Sequence, residues 1–235
     1  MVLLGSLLNA LFIVIGAFLG RLFKNIPENM QQTVMVIIGL VIALLGIQMG
    51  MESSNFIVIV ISLVVGTVIG EWLDLDSKFN RLGLWVESLF GKRAQKGTIA
   101  QGFVTASLIF VIGSMAIIGA LDSGLRNEHD VLITKGIIDG FMSIILASTL
   151  GIGVMLSAVP VFLYQGAIAL FAGVISTYIP TDALDLFIKE MTATGGVMIL
   201  AIGLNIANLT KIRVANLLPA IIVVAIMVAI IFPFQ

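Results

Sequence analysis

The sequence predicts an all-α, polytopic integral membrane protein of about eight transmembrane helices, with seven as the runner-up count. Three observations predict it. Apolar residues make up 60% of the 235, and charged residues only 11%, against roughly 25% charged in an ordinary soluble domain. Mean hydropathy is +1.19, so lipid must be the solvent for most side chains. The apolar runs are continuous, as in 34–47 (VMVIIGLVIALLGI) and 217–232 (LLPAIIVVAIMVAIIF). A transmembrane barrel would alternate apolar and polar residues instead.

Runs long enough to cross a bilayer fall at 3–23, 32–50, 55–74, 99–121, 134–157, 160–179, 191–209 and 213–233. The first is expected to be a retained span. Its basic residues Arg21 and Lys24 follow the apolar stretch, whereas a signal peptide has them in front. The junction Ser157-Ala158-Val159-Pro160 reads either as a tight hairpin between spans five and six or as a broken helix with a re-entrant piece. Charge supports the count. With both termini outside, the cytoplasmic loops hold Arg21, Lys24, Lys78, Arg81, Lys92, Arg93, Lys96, Lys211 and Arg213. The outer side then holds Arg126, Lys135 and Lys189, nine basic residues against three, as the positive-inside rule requires.

The longest polar interruption, 75–98, is expected to carry a cytoplasmic amphipathic helix over about 76–91. Phe79, Leu82, Trp85, Val86, Leu89 and Phe90 recur there at helical spacing. Asp76 or Ser77 can cap its start, and Trp85 would sit at headgroup depth. A weak internal repeat places 5–20 over 136–151 and 32–42 over 165–175. It would make the chain a single membrane domain of two parallel halves, 1–74 plus 99–121 and 134–233, a pattern known in transporter folds. Chance similarity of two apolar helices remains the alternative.

Polar side chains inside spans are costly and are therefore candidates for function. They are Asn9, Gln48, Glu71, Gln101, Asp139, Gln165, Asn205, Asn208 and Asn216. Asp139 stands out, about one turn inside its span and one turn after Lys135. It could bind a cation or carry a proton, or simply pair with Lys135. Two stretches combine glycine with hydroxyls, Gly113-Ser114 through Gly119 and Ser148-Thr149-Leu150-Gly151-Ile152-Gly153. That is the composition of a helix broken around a polar cavity. A cavity lined by Ser114, Asp139, Ser148 and Thr149 is one reading. Close helix packing with hydroxyls bonded back to their own helix is the other.

Several classes are not expected. Cysteine is absent, so there is no thiolate chemistry and no Cys-based metal site. His129 is alone and cannot build a His-based metal site. No zincin, nucleophile-elbow, P-loop or dinucleotide motif is present. The expectation is a protein that is not an enzyme and needs no cofactor. A net charge of −1 gives no sign of a nucleic-acid partner. The expected partners are the lipid bilayer and a small ion or polar solute. Faces such as Gly16-x-x-x-Gly20 and Gly66-x-x-x-Gly70 also suit a homo-oligomer.

The stretches GSLLNALFIVIGAFLG, GSMAIIGALDSGL, ITKGIIDGFMSIILASTLGIGVMLSAVPVFLYQG and ATGGVMILAIGLNIANL together resemble the YdfK/YqgA-type family of bacterial inner-membrane proteins (DUF554). The resemblance covers the whole chain. It implies a prokaryotic multi-pass protein of the inner membrane, often described as a transporter, and it brings neither a substrate nor catalytic residues. The leading functional expectation is a secondary transporter or channel for a small ion or polar solute. Its candidate binding residues are Asp139, Ser114, Asn9, Ser148, Thr149, Gln165, Asn205 and Glu71. The alternative is a non-transporting scaffold or sensor acting through partner binding.

Overall fold

The computed structural model describes residues 1–22, 28–89 and 98–232. Among these, every regular element is helical. The helices are α1 (Leu4–Leu22), α2 (Glu28–Gly50), α3 (Phe56–Leu73), α4 (Leu75–Leu89), α5 (Thr98–Val111), α6 (Ser114–Arg126), α7 (Asp130–Leu150), α8 (Gly153–Leu156), α9 (Ala158–Tyr178), α10 (Thr181–Ile206) and α11 (Pro219–Ile231). A 3-10 turn, Val214–Leu217, leads into α11. Seven stretches are long and apolar enough to cross a bilayer, α8 and α9 counting as one. The pair α5 and α6 makes an eighth, bent by 65°.

The chain forms two compact units. The first contains residues 1–31, 80–111 and 115–175, and the second 32–79, 112–114 and 176–235. These units cut across the halves of the sequence repeat. In the first unit α1 packs along α7 with registers that rise together. Phe12 meets Gly136 and Gly140, Gly16 meets Gly140, and Gly20 meets Ile144. A Cβ at Gly16 would overlap the Gly140 carbonyl oxygen, so glycine is what lets the two backbones touch. In the second unit α2 runs against α10, with Gly39 on Gly203 and Ala207, and Gly46 on Gly196 and Leu200. Likewise α3 runs against α11, with Gly66 on Ala220 and Gly70 on Asn216. Helix α10 is the central element of that unit, with 72% of its apolar window buried against 28% for α3.

These directions bear on the bent pair. If α5 and α6 returned to their side of entry, α7 would cross opposite to α1, and α2 and α10 would cross the same way. Both are the reverse of the packing, so the packing directions fit the larger of the seven or eight spans that length and apolarity allow. Gly113 makes the break, with φ of 140° that an L side chain rarely adopts. The break expected at Gly113-Ser114 is therefore present.

Three expected boundaries need correction. Span five ends at Leu150, and the turn falls at Gly151-Ile152, where Gly151 has φ of 77°. Ser157–Pro160 is no hairpin; it lies inside the Gly153–Tyr178 span. Pro160 has no N–H for the Leu156 carbonyl, which accounts for the interruption between α8 and α9. Ser157 Oγ donates back within the same turn to the Val154 carbonyl at 2.6 Å. The stretch 148–153 thus ends a span rather than breaking one. Span seven begins at Thr181, ten residues before the expected 191. The amphipathic helix is α4, set off from α3 by Asp74 in the left-handed region with φ of 48°. Phe90 and the expected end of that helix at about 91, with Lys92, Arg93 and Lys96, lie outside the described residues.

Candidate functional site

The α1–α7 seam brings polar groups together between two apolar helices. Helix α7 starts at Asp130, so Asp139 is the tenth of its 21 residues. That is the middle of the helix, further from its start than the single turn expected from the sequence. Lys135, Asp139 and Ser143 follow at intervals of four and share one face. On α1, Ser6 and Asn9 are one turn apart and both buried, with Asn9 against Gly136 of α7. All five are buried, as is Gln165 from α9.

Lys135 Nζ donates to Asp139 Oδ2 at 2.5 Å, with both side chains 8% exposed. Asn9 stands beside the Asp139 carboxylate, and its Nδ2 donates to Gln165 Oε1 at 3.2 Å. The neighbouring carboxylate orients the Asn9 amide, since only the NH₂ end can face it. Four atoms around this core have no hydrogen-bond partner: Ser6 Oγ, Asn9 Oδ1, Ser143 Oγ and Gln165 Nε2. A buried polar atom without a partner costs about 1–3 kcal/mol, and here four lie on one short seam. The arrangement supplies one carboxylate, one ammonium and a set of neutral donors and acceptors, closed off from solvent.

The remaining expected residues lie elsewhere. Ser114 groups with the second unit, at the start of α6, whereas Asp139 belongs to the first. Ser148 donates back to the Ile145 carbonyl at 2.7 Å, and Thr149 to the Leu146 carbonyl at 3.0 Å. Both therefore follow the packing alternative, more than two turns from Asp139. Asn205 holds a loop: Nδ2 donates to the Ile212 carbonyl at 2.7 Å, while Oδ1 accepts from Thr210 Oγ1 at 2.8 Å and Ile212 N at 2.9 Å. Glu71 pairs with Arg213 at 2.5 Å in a half-exposed position.

Sequence reasoning missed three groups. Ser6 and Ser143 were signalled by their helical spacing from Asn9 and Asp139. Glu190 was hidden because the span was started one residue after it. It is fully buried in α10 and accepts from Ser53 Oγ at 2.5 Å, Ser54 N at 2.9 Å and Asn55 N at 3.2 Å. It thereby supplies an anion to the start of α3. Among the described residues, no cluster of three or more His, Cys, Asp or Glu could hold a metal.

Fold and seam together define a multi-pass α-helical membrane protein with a buried, charge-paired polar core. Residues 4–229 match the family described as Protein of unknown function (DUF554), and the chain belongs to that family. It is similar to the "Uncharacterized membrane protein YdfK" of Bacillus subtilis (strain 168), with 34% identity over 235 residues, covering 98% of this chain and 97% of that protein. It is also similar to the "Uncharacterized protein YqgA" of Escherichia coli (strain K12), with 28% identity over 223 residues and 93% of each chain covered. No solved structure matches.

Proposed function

We propose that the protein is a secondary transporter or channel for a small ion or polar solute, acting without enzymatic chemistry. The observation that carries this reading is the Asn9–Lys135–Asp139–Gln165 cluster. Ionisable residues at membrane depth are expensive and mark ion or proton paths. The broken span α5–α6 adds support, because interrupted helices in transporters accompany binding sites.

In this reading the protein lies in the bacterial inner membrane with both termini outside. Lys135 is buried within α7 and Lys189 lies within α10. The outer loops therefore carry fewer cations than the sequence count gave them, which sharpens the charge asymmetry behind this orientation. The small-residue faces suit a homo-oligomer.

A proteoliposome flux screen over inorganic cations, anions and small metabolites tests the reading. Wild type should move at least one solute well above empty liposomes, and Asp139→Asn should lose that flux. Equal leakage from wild type, variant and empty liposomes across the whole screen would end it. A scaffold or sensor role is the second reading, favoured by Trp85, which is 60% exposed on α4. It gains if no solute moves and a stoichiometric partner is lost on Trp85→Glu.

A further inference from the structure

We infer that the α1–α7 seam binds a small monovalent cation in exchange for a proton, and that Lys135 is the group that releases the proton. The inference rests on the transport reading and names its substrate class. It starts from charge. Lys135 and Asp139 cancel one another in a buried site, and among the described residues Lys135 is the cation paired with Asp139. An uncompensated charge at this depth is strongly disfavoured. An arriving cation must therefore replace a positive charge rather than add one.

The exchange balances. The cation takes the Asp139 carboxylate, Lys135 Nζ gives one proton to water, and a neutral amine remains. Net charge is zero before and after, and reprotonation of Lys135 on the other side expels the cation. Neutral oxygens that could help hold the ion are unpartnered: Ser6 Oγ and Ser143 Oγ, one turn from Asn9 and from Asp139, and Asn9 Oδ1, which a rotation of the amide would turn to the carboxylate. Lys135 to Ser143 covers about 12 Å of helix rise, so these groups form a file along the seam.

Size and valence narrow the substrate. Lys135 touches Asp139, and Asn9 touches Gln165 at 3.2 Å, which leaves no gap for a metabolite between them. Divalent ions such as calcium take several oxygen ligands, usually with more than one carboxylate, and this site has one. Other ionisable groups on the surrounding helices stand apart. Helices α5 and α8 carry none, and α1 carries only Arg21, twelve residues beyond Asn9. Asp122 and Arg126 of α6 pair with each other at 3.6 Å, His129 contacts Ser123, and α9 carries only tyrosines.

The first test uses the full chain in detergent, weakly buffered with a pH indicator. Sodium, potassium or lithium chloride should release roughly one proton per chain, and choline chloride none. Asp139→Asn should abolish the release. So should Lys135→Arg, which keeps the charge and the fold but holds a proton that arginine does not give up. In liposomes carrying a lumenal pH dye, an inward cation gradient should alkalinise the lumen in step with cation entry for wild type only. If an Asp139-dependent solute flux exists but no cation releases protons, the exchange is overturned while the transport reading stands. Release that persists in Asp139→Asn also overturns it. If nothing moves and nothing is released, both readings fall.

Discussion

Asp139 and Glu190 are the buried carboxylates among the described residues, and they are compensated in different ways. Asp139 has an ammonium beside it, so removing either partner strands a charge in the membrane. Glu190 has no cation in contact; its partners are a hydroxyl and two backbone N–H groups at the start of α3. Its compensation is the positive end of a helix. Glu190→Gln keeps an oxygen for the two N–H groups and an NH₂ for Ser53, and loses only the charge. The expected cost is about 1–2 kcal/mol, read as a thermal midpoint lowered by several degrees in detergent. Glu190→Ala should cost more, since it leaves Ser54 N and the Ser53 hydroxyl proton without their acceptor, while Asn55 N keeps Ser53 Oγ. Equal midpoints for wild type and both variants would show that Glu190 does not hold α3. The sequence marked Asp139 because it stands among apolar residues. It hid Glu190 among Asp182, Asp185 and Lys189, a run that reads as a polar loop.

At the level of the element, hydropathy locates a helix by its apolar stretch and misses polar turns that prolong it. Thus α7 and α10 begin earlier than expected, each with an acid in its first turn where the helix dipole favours it. The error mattered, because it placed Asp139 one turn from the start of its helix instead of at the middle. Proline misled in the same way: Pro160 suggested a turn, but a proline early in a helix is tolerated, and glycine at 151 turned the chain. The Gly113 break was legible because glycine and hydroxyl residues inside an apolar run have few other uses. The α1–α7 seam was legible only in part, since small-residue spacing says that a helix packs closely but not against which partner. Gly16→Leu tests that seam. The added side chain must push against the Gly140 carbonyl, at an overpacking cost of about 1–3 kcal/mol. The neighbouring Ile15→Leu, on a face that is 46% exposed, should be near neutral. Thermal midpoints of the purified variants decide, and equal losses for the two would mean that the glycine contact is not what holds the helices together.

For the whole molecule, the strongest constraint is parity. The eight-span expectation from the sequence rested on hydropathy and on loop charge. The packing directions of α1 with α7, α2 with α10 and α3 with α11 fit the larger of the seven or eight spans that length and apolarity allow. Sequence could not supply that check, because direction of packing belongs to pairs of helices distant in the chain. The consequence is that α5–α6 separates two loops that a re-entrant pair would leave on one side. The protein lends itself to a direct measurement, since it contains no cysteine and any introduced thiol is the sole reporter. Asn127→Cys lies between α6 and α7 in an exposed turn, and Ser88→Cys lies near the end of α4. With a membrane-impermeant maleimide applied to intact cells, the Asn127→Cys variant should label at once and the Ser88→Cys variant only after permeabilisation. A third reporter, Lys211→Cys between α10 and α11, should behave like Ser88→Cys. If Asn127→Cys and Ser88→Cys label under the same condition, the pair is re-entrant and the count is seven. If the two sides are simply exchanged, the eight spans stand and the orientation inferred from charge is reversed.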